Sequence, residues 1–236
     1  MALGVGMIFV FRRLRHYEST TEPLPKMHAY MLGSFFVLLG YSILMTGDVV
    51  LVKHLFPDDA PSFSYAATLG RLVIFIPQAF ISAMFPKVVS DNGASDVQRK
   101  VFTRTLFATL LLTVCASVLF IPLTRLGLLI LYGIEDPSSE LVLWSRLLAV
   151  TMIPVALLNV ATRFALAQHR LYIAIVVPLA ALCYLLFVYL FPTRITMVLY
   201  TLGSVSWIGL IILSGWLIFG SSYKARGNKF SNVEMR

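Results

Sequence analysis

The stretch ILMTGDVVLVKHLFPDDAPSFSYAATLGRLVIF, from Ile43 to Phe75, decides how this chain is read. Two apolar runs flank the turn PDDAP (Pro57–Pro61), and Asp48, Lys53 and Arg71 sit among residues that otherwise belong in oil. An Asp, Lys or Arg at mid-span costs roughly 2.5–3.5 kcal/mol on insertion scales, so it usually faces a bundle interior or a watery cavity. Counted from Asp59 at the centre of the turn, Asp48 lies eleven residues before and Arg71 twelve after. In an antiparallel helical hairpin, rising about 1.5 Å per residue, the two reach nearly the same depth in the outer leaflet. The spacing predicts an intramembrane pair, Asp48 with Arg71, turned inward so that neither charge is alone in a poor dielectric.

The rest of the chain extends that pattern. It has 236 residues, 58% of them hydrophobic and 13% charged, with mean hydropathy +0.85. A soluble domain carries roughly a quarter charged residues, and uncharged runs of this length are read as membrane spans. Six spans follow: Ala29 to Leu55, Phe63 to Phe85, Phe102 to Leu123, Leu141 to Leu166, Leu171 to Phe191 and Ile195 to Phe219. They are separated by PDDAP, by the polar loop SDNGASDVQRK (Ser90–Lys100), by the acidic loop GIEDPSSE (Gly133–Glu140) and by the tight turn PTR (Pro192–Arg194). The expectation is an all-α membrane protein, a six-transmembrane-helix bundle over residues 28–219. Residues 1–27 read as the end of a partial helix (MALGVGMIFVF, then RRLR) plus a cytoplasmic linker, and 220–236 as a polar, basic, disordered cytoplasmic tail. The order of charge and apolar stretch at the start is the reverse of a signal peptide's.

Charge fixes an orientation. Of the 19 Lys and Arg residues, fourteen fall in one alternating set of loops and ends, and only Lys53, Arg125 and Arg194 in the other. Arg71 and Arg146 are left inside spans. Under the positive-inside rule both ends of the segment are cytoplasmic. The same distribution argues against a nucleic-acid partner, because the net charge of +8 is spread over short loops and forms no basic, aromatic-interleaved face.

The candidate functional residues are therefore intramembrane polar groups. Arg71 and Gln78 share one face of the second span with Ser64, Thr68 and Ser82. The fourth span carries Arg146 near its outer end and Asn159, Thr162 and Arg163 near its inner end. The last has a stripe of Tyr200, Ser204, Trp207, Ile211 and Ser214. In a bilayer such stripes are expected to face each other or a cavity. Arg146 can instead snorkel to the surface, as can Lys53, and Arg163 can simply anchor its span at the cytoplasmic interface. Pro77, Pro154 and Pro178 lie within spans, where prolines are tolerated and often mark kinks. Cys115 and Cys183 read as small hydrophobes. No hydrolase, metal or nucleotide motif is present, so neither an enzyme nor a cofactor or metal is expected.

The segment TGDVVLVKHLFPDDAPSFSYAATLGRLVIFIPQAFISAMFPKVV (Thr46–Val89) resembles a stretch of bacterial polysaccharide and lipid-linked oligosaccharide flippases, of the multidrug/oligosaccharidyl-lipid/polysaccharide exporter superfamily. The residues that carry it are Asp48, Leu51–His54, Tyr65–Arg71 and Phe85–Val88. The resemblance implies one lobe of a two-lobe flippase, the second, with a preceding six-helix lobe as its partner. It also implies a place in the bacterial cytoplasmic membrane and an undecaprenyl-pyrophosphate-linked oligosaccharide as cargo, flipped by alternating access in polysaccharide biosynthesis. Arg71, Gln78, Arg146, Asn159 and Arg163 would then line the cavity. Two other functions fit the same sequence: a cation-coupled drug exporter, expected to favour acidic residues in its cavity, and a membrane scaffold that transports nothing.

Overall fold

The structure is a computed structural model. It describes the backbone of residues 27–90, 95–168 and 174–231, and side chains there except at 27–29, 76, 79–90, 95–99 and 218–231. The described residues form six helices and no strand: α1 (Met27–Leu55), α2 (Ala60–Ser90), α3 (Ser95–Tyr132), α4 (Ser139–Ala167), α5 (Val176–Leu190) and α6 (Ile195–Ser231). The chain divides into two compact units at Leu32. Of the first, only residues 27–32 are described, as the opening turns of α1; the second, Gly33–Arg236, holds the core.

The connections are built as the local sequence dictates. After α1 the chain reverses through Phe56–Asp59, where Asp59 N–H donates to the Phe56 carbonyl and Phe63 N–H to the Asp59 carbonyl. Pro61 falls in the first turn of α2, where a missing N–H costs nothing because that donor has no intrahelical partner. Helix α3 ends at Gly133, whose φ of 67° lies in the left-handed region that glycine enters without penalty. Ser138 caps α4 by accepting from Leu141 N–H at 3.2 Å, with Glu140 in the first turn.

Helix α4 is the centre of the second unit. It packs against α2, α3 and α6; α2 also packs on α3, and α5 on α6. Small residues set the closest crossings. A Cβ placed on Gly70 of α2 would meet Leu148 Cβ of α4 at 2.6 Å, and one on Gly40 of α1 would meet Pro178 Cα of α5 at 2.5 Å. Only glycine lets these backbones approach so closely.

The distribution of polarity is inverted relative to a soluble bundle. Ile130 is 80% exposed, and Phe107, Leu119, Leu186 and Ile211 are more than half exposed. Asp48, Thr109, Thr113, Ser145 and Ser206 are fully buried. Water would punish that arrangement and hydrocarbon rewards it. Four helical stretches are long and apolar enough to cross a membrane: Tyr30–Leu55, Lys100–Tyr132, Ser139–Ala167 and Ile195–Leu217. With Val176–Leu190 a shorter apolar helix, the described part of the chain is that of an all-helical membrane protein.

Several boundaries differ from those expected. Helix α2 continues through Pro86 to Ser90, α3 begins at Ser95 inside the expected polar loop and runs through Pro122 to Tyr132, and α6 continues to Ser231 where a disordered tail was expected. Hydropathy marks the part of a helix that suits hydrocarbon. Extending an existing helix into polar sequence is far easier than nucleating one, so the helices overrun those marks. Pro178 lies in the first turn of α5 and so marks no mid-helix kink, whereas Pro122 is interior to α3. The expected partial helix and linker at residues 1–26, residues 171–173 of the fifth span and the last five residues lie outside the described ones.

Candidate functional site

The polar groups inside the bundle fall into three clusters. In the first, Arg71 of α2 donates from Nη2 to Asp48 Oδ1 of α1 as an ion pair. Asp48 is 0% exposed and the Arg71 side chain 14%. Asp48 stands seven residues before the end of α1 and Arg71 eleven after the start of α2, so a short turn brings them level. Gly70, one residue before the arginine, lets α2 lie against Ser145 and Leu148 of α4. Tyr184 of α5, fully buried, completes the cluster; its ring reaches to 4.0 Å from the Cβ position of Gly47, beside Asp48. Its hydroxyl lies within electrostatic range of both charges. Sequence reasoning did not single out Tyr184.

Arg146 of α4 defines the second cluster. Its Nε donates to the Ile121 carbonyl of α3 at 3.1 Å, next to Pro122, and the half-buried side chain thus ties α4 to α3 where proline interrupts the backbone ladder. Thr124 Oγ1 donates to the Phe120 and Ile121 carbonyls at the same point. This cluster adjoins a row of hydroxyls along α3 that the sequence reading also passed over. Thr105, Thr109 and Thr113 each donate to the carbonyl four residues back, and Ser117 crosses to the Ala149 carbonyl of α4 at 3.0 Å. Such bonds keep hydroxyls satisfied away from water.

The third cluster is on α4 itself. Arg163 Nε donates to Asn159 Oδ1 at 2.9 Å; Asn159 is buried and Arg163 half-buried. The amide is neutral, so it orients the guanidinium without cancelling its charge. Among the described residues Asp48–Arg71 is the ion pair inside the bundle, and Arg146 and Arg163 are held by neutral acceptors. Gln78 is half-buried on α2, and Ser82 lies outside the described side chains. Lys53 is exposed.

The stripe on α6 does not meet the other polar stripes within the chain. Tyr200, Ser204, Trp207 and Ile211 are exposed on the outer surface of the chain, while Ser206 is the buried hydroxyl. A serine can satisfy itself within its own helix, as Ser214 does by donating to the Leu210 carbonyl at 2.6 Å, so an outward serine needs no partner helix. Among the described residues no group of three or more His, Cys, Asp or Glu is placed to hold a metal ion. Comparison with family models, with curated proteins and with solved structures gives no match to this chain.

Proposed function

We propose that this chain is one six-crossing lobe of a flippase that moves a lipid-linked oligosaccharide across a bacterial cytoplasmic membrane, both ends cytoplasmic. A second six-helix lobe completes its cavity, and transport proceeds by alternating access. The observation that carries the reading is the sign of the buried charge. Three arginines enter an otherwise apolar bundle, and the one carboxylate among these clusters is already matched by Arg71. Such an interior favours an anionic cargo such as a pyrophosphate, which guanidinium forks hold by charge-assisted hydrogen bonds. It disfavours a cation-coupled drug exporter, which needs an unmatched acid. The residue pattern of Thr46–Val89 supports the same reading.

Arg163 has the best geometry for the cargo's charged head. Asn159 occupies its Nε and leaves the Nη groups as donors near the inner end of α4. The test is expression in a bacterial host lacking its own flippase, with the chain supplied alone and together with its upstream coding region. Surface polysaccharide should return when both lobes are present and fall at least tenfold with Arg163→Gln at matched membrane levels. No polysaccharide from any combination, or full export by Arg163→Gln, refutes the assignment.

A further inference from the structure

The Asp48–Arg71 pair is incompletely satisfied. Asp48 Oδ2, Arg71 Nε and Tyr184 Oη are all buried, and each lacks a hydrogen-bond partner among the described residues. Buried side-chain polar atoms without a partner are few among the described residues, and three of the five belong to this one cluster. A buried ion pair is stable only when the remaining lone pairs and protons are also bonded, and an orphaned buried donor or acceptor bears the full cost of its lost hydration.

The chemistry of the three atoms is complementary to a single kind of ligand. The carboxylate oxygen accepts, the guanidinium Nε–H donates, and the phenol hydroxyl does either. An added cation would sit against Arg71 and an added anion against Asp48, so the ligand is neutral. It must also be small, because α1, α2 and α5 close around the cluster with Asp48 and Tyr184 at 0% exposure. Buried waters typically make about three hydrogen bonds to groups of this kind.

We propose that Asp48, Arg71 and Tyr184 form an internal hydration site, in which water bridges Asp48 Oδ2, Arg71 Nε and Tyr184 Oη and links α1, α2 and α5. Tyr184 is then a positioning residue, acting through water on the ion pair. The site depends on the fold and not on the transport reading.

The experiment uses the full chain in lipid nanodiscs, unsubstituted and as Tyr184→Phe. Infrared spectra are compared after equilibration in ordinary and in oxygen-18 water. The unsubstituted protein should show an isotope-shifted band from a strongly hydrogen-bonded O–H, and Tyr184→Phe should shift or remove it. The apparent Tm of Tyr184→Phe should fall by about 2–4 °C, the shift expected for loss of roughly 1 kcal/mol in a chain of this size. Absence of the isotope-sensitive band from the unsubstituted protein overturns the proposal, whether or not the variant folds. So does a Tm for Tyr184→Phe that is unchanged or raised, because deleting a hydroxyl that bonds nothing removes a burden. A lowered Tm without the band means a direct protein bond and also overturns it.

Discussion

Removing Arg71 while leaving Asp48 in place should be among the most damaging single changes in the second unit. Asp48 is fully buried, and among the described residues the side chain that bonds its carboxylate is Arg71. In Arg71→Met that carboxylate keeps its burial and loses its counter-charge. Breaking a buried pair from one side costs roughly 3–5 kcal/mol, and with no solvent exposure at Asp48 the upper part of that range applies. Asp48→Asn should be milder, about 3 kcal/mol, because Arg71 keeps 14% exposure and can turn toward it. The double variant Asp48→Leu/Arg71→Met removes both charges, and apolar replacement of a buried pair is often close to neutral. With the single losses at about 4–5 and 3 kcal/mol and the double variant near zero, the coupling between the positions should reach about 6–8 kcal/mol, well above the ~0.5–3 kcal/mol usual for residues in contact. Unfolding of the four proteins of the cycle (wild type, Asp48→Leu, Arg71→Met and the double variant) in mixed lipid–detergent micelles, followed by tryptophan fluorescence, gives it directly. Additive single effects, with coupling under about 0.5 kcal/mol, would refute the argument that the pair acts as a unit.

Two further outcomes follow from packing and exposure. Gly70→Ala should destabilise by about 1–3 kcal/mol through overpacking, since its Cβ meets Leu148 Cβ at 2.6 Å and the Ser145 carbonyl at 3.1 Å. Gly215→Ala, where a Cβ meets nothing within 4 Å, should stabilise by about 0.5–1 kcal/mol; thermal unfolding of the two variants side by side checks the contrast. Cys115 and Cys183 are both exposed on the apolar surface of α3 and α5. In intact membranes they should resist a water-soluble maleimide and react within minutes once the chain is unfolded in sodium dodecyl sulfate. Rapid labelling in the membrane would place those faces in water.

The sequence made the membrane class legible through long uncharged runs, and the depth of Asp48 and Arg71 through simple counting from a turn. Tyr184 escaped because a tyrosine in an apolar span reads first as an interface anchor. The same counting would have found it: Tyr184 stands six residues before the end of α5 and Asp48 seven before the end of α1. The α3 hydroxyls escaped because threonine interrupts hydropathy so little, and a spacing of four carries no sign of which side is buried. Arg146 could be placed in a span, yet its acceptor is a main-chain carbonyl beside Pro122, and residue type does not report on that. The outward stripe on α6 shows the converse limit. Periodicity groups Tyr200, Ser204, Trp207 and Ile211 on one face, and only the packing of α6 on α4 and α5 decides which way that face turns.

The central place of α4 has a bearing on biogenesis. Its flanks are covered by α2 and α3, made earlier, and by α6, made later. From Ala167 to Leu217 is about fifty residues, which at ~5–20 residues per second takes the ribosome roughly 3–10 s. For that interval the nascent chain holds Thr151 and Leu158, which pack on Gly203 and Gly209 of α6, against lipid or against the insertion machinery. A ribosome stalled before α6 would release a chain with one side of its keystone bare, and such a product should be the form that membrane quality-control proteases recognise first.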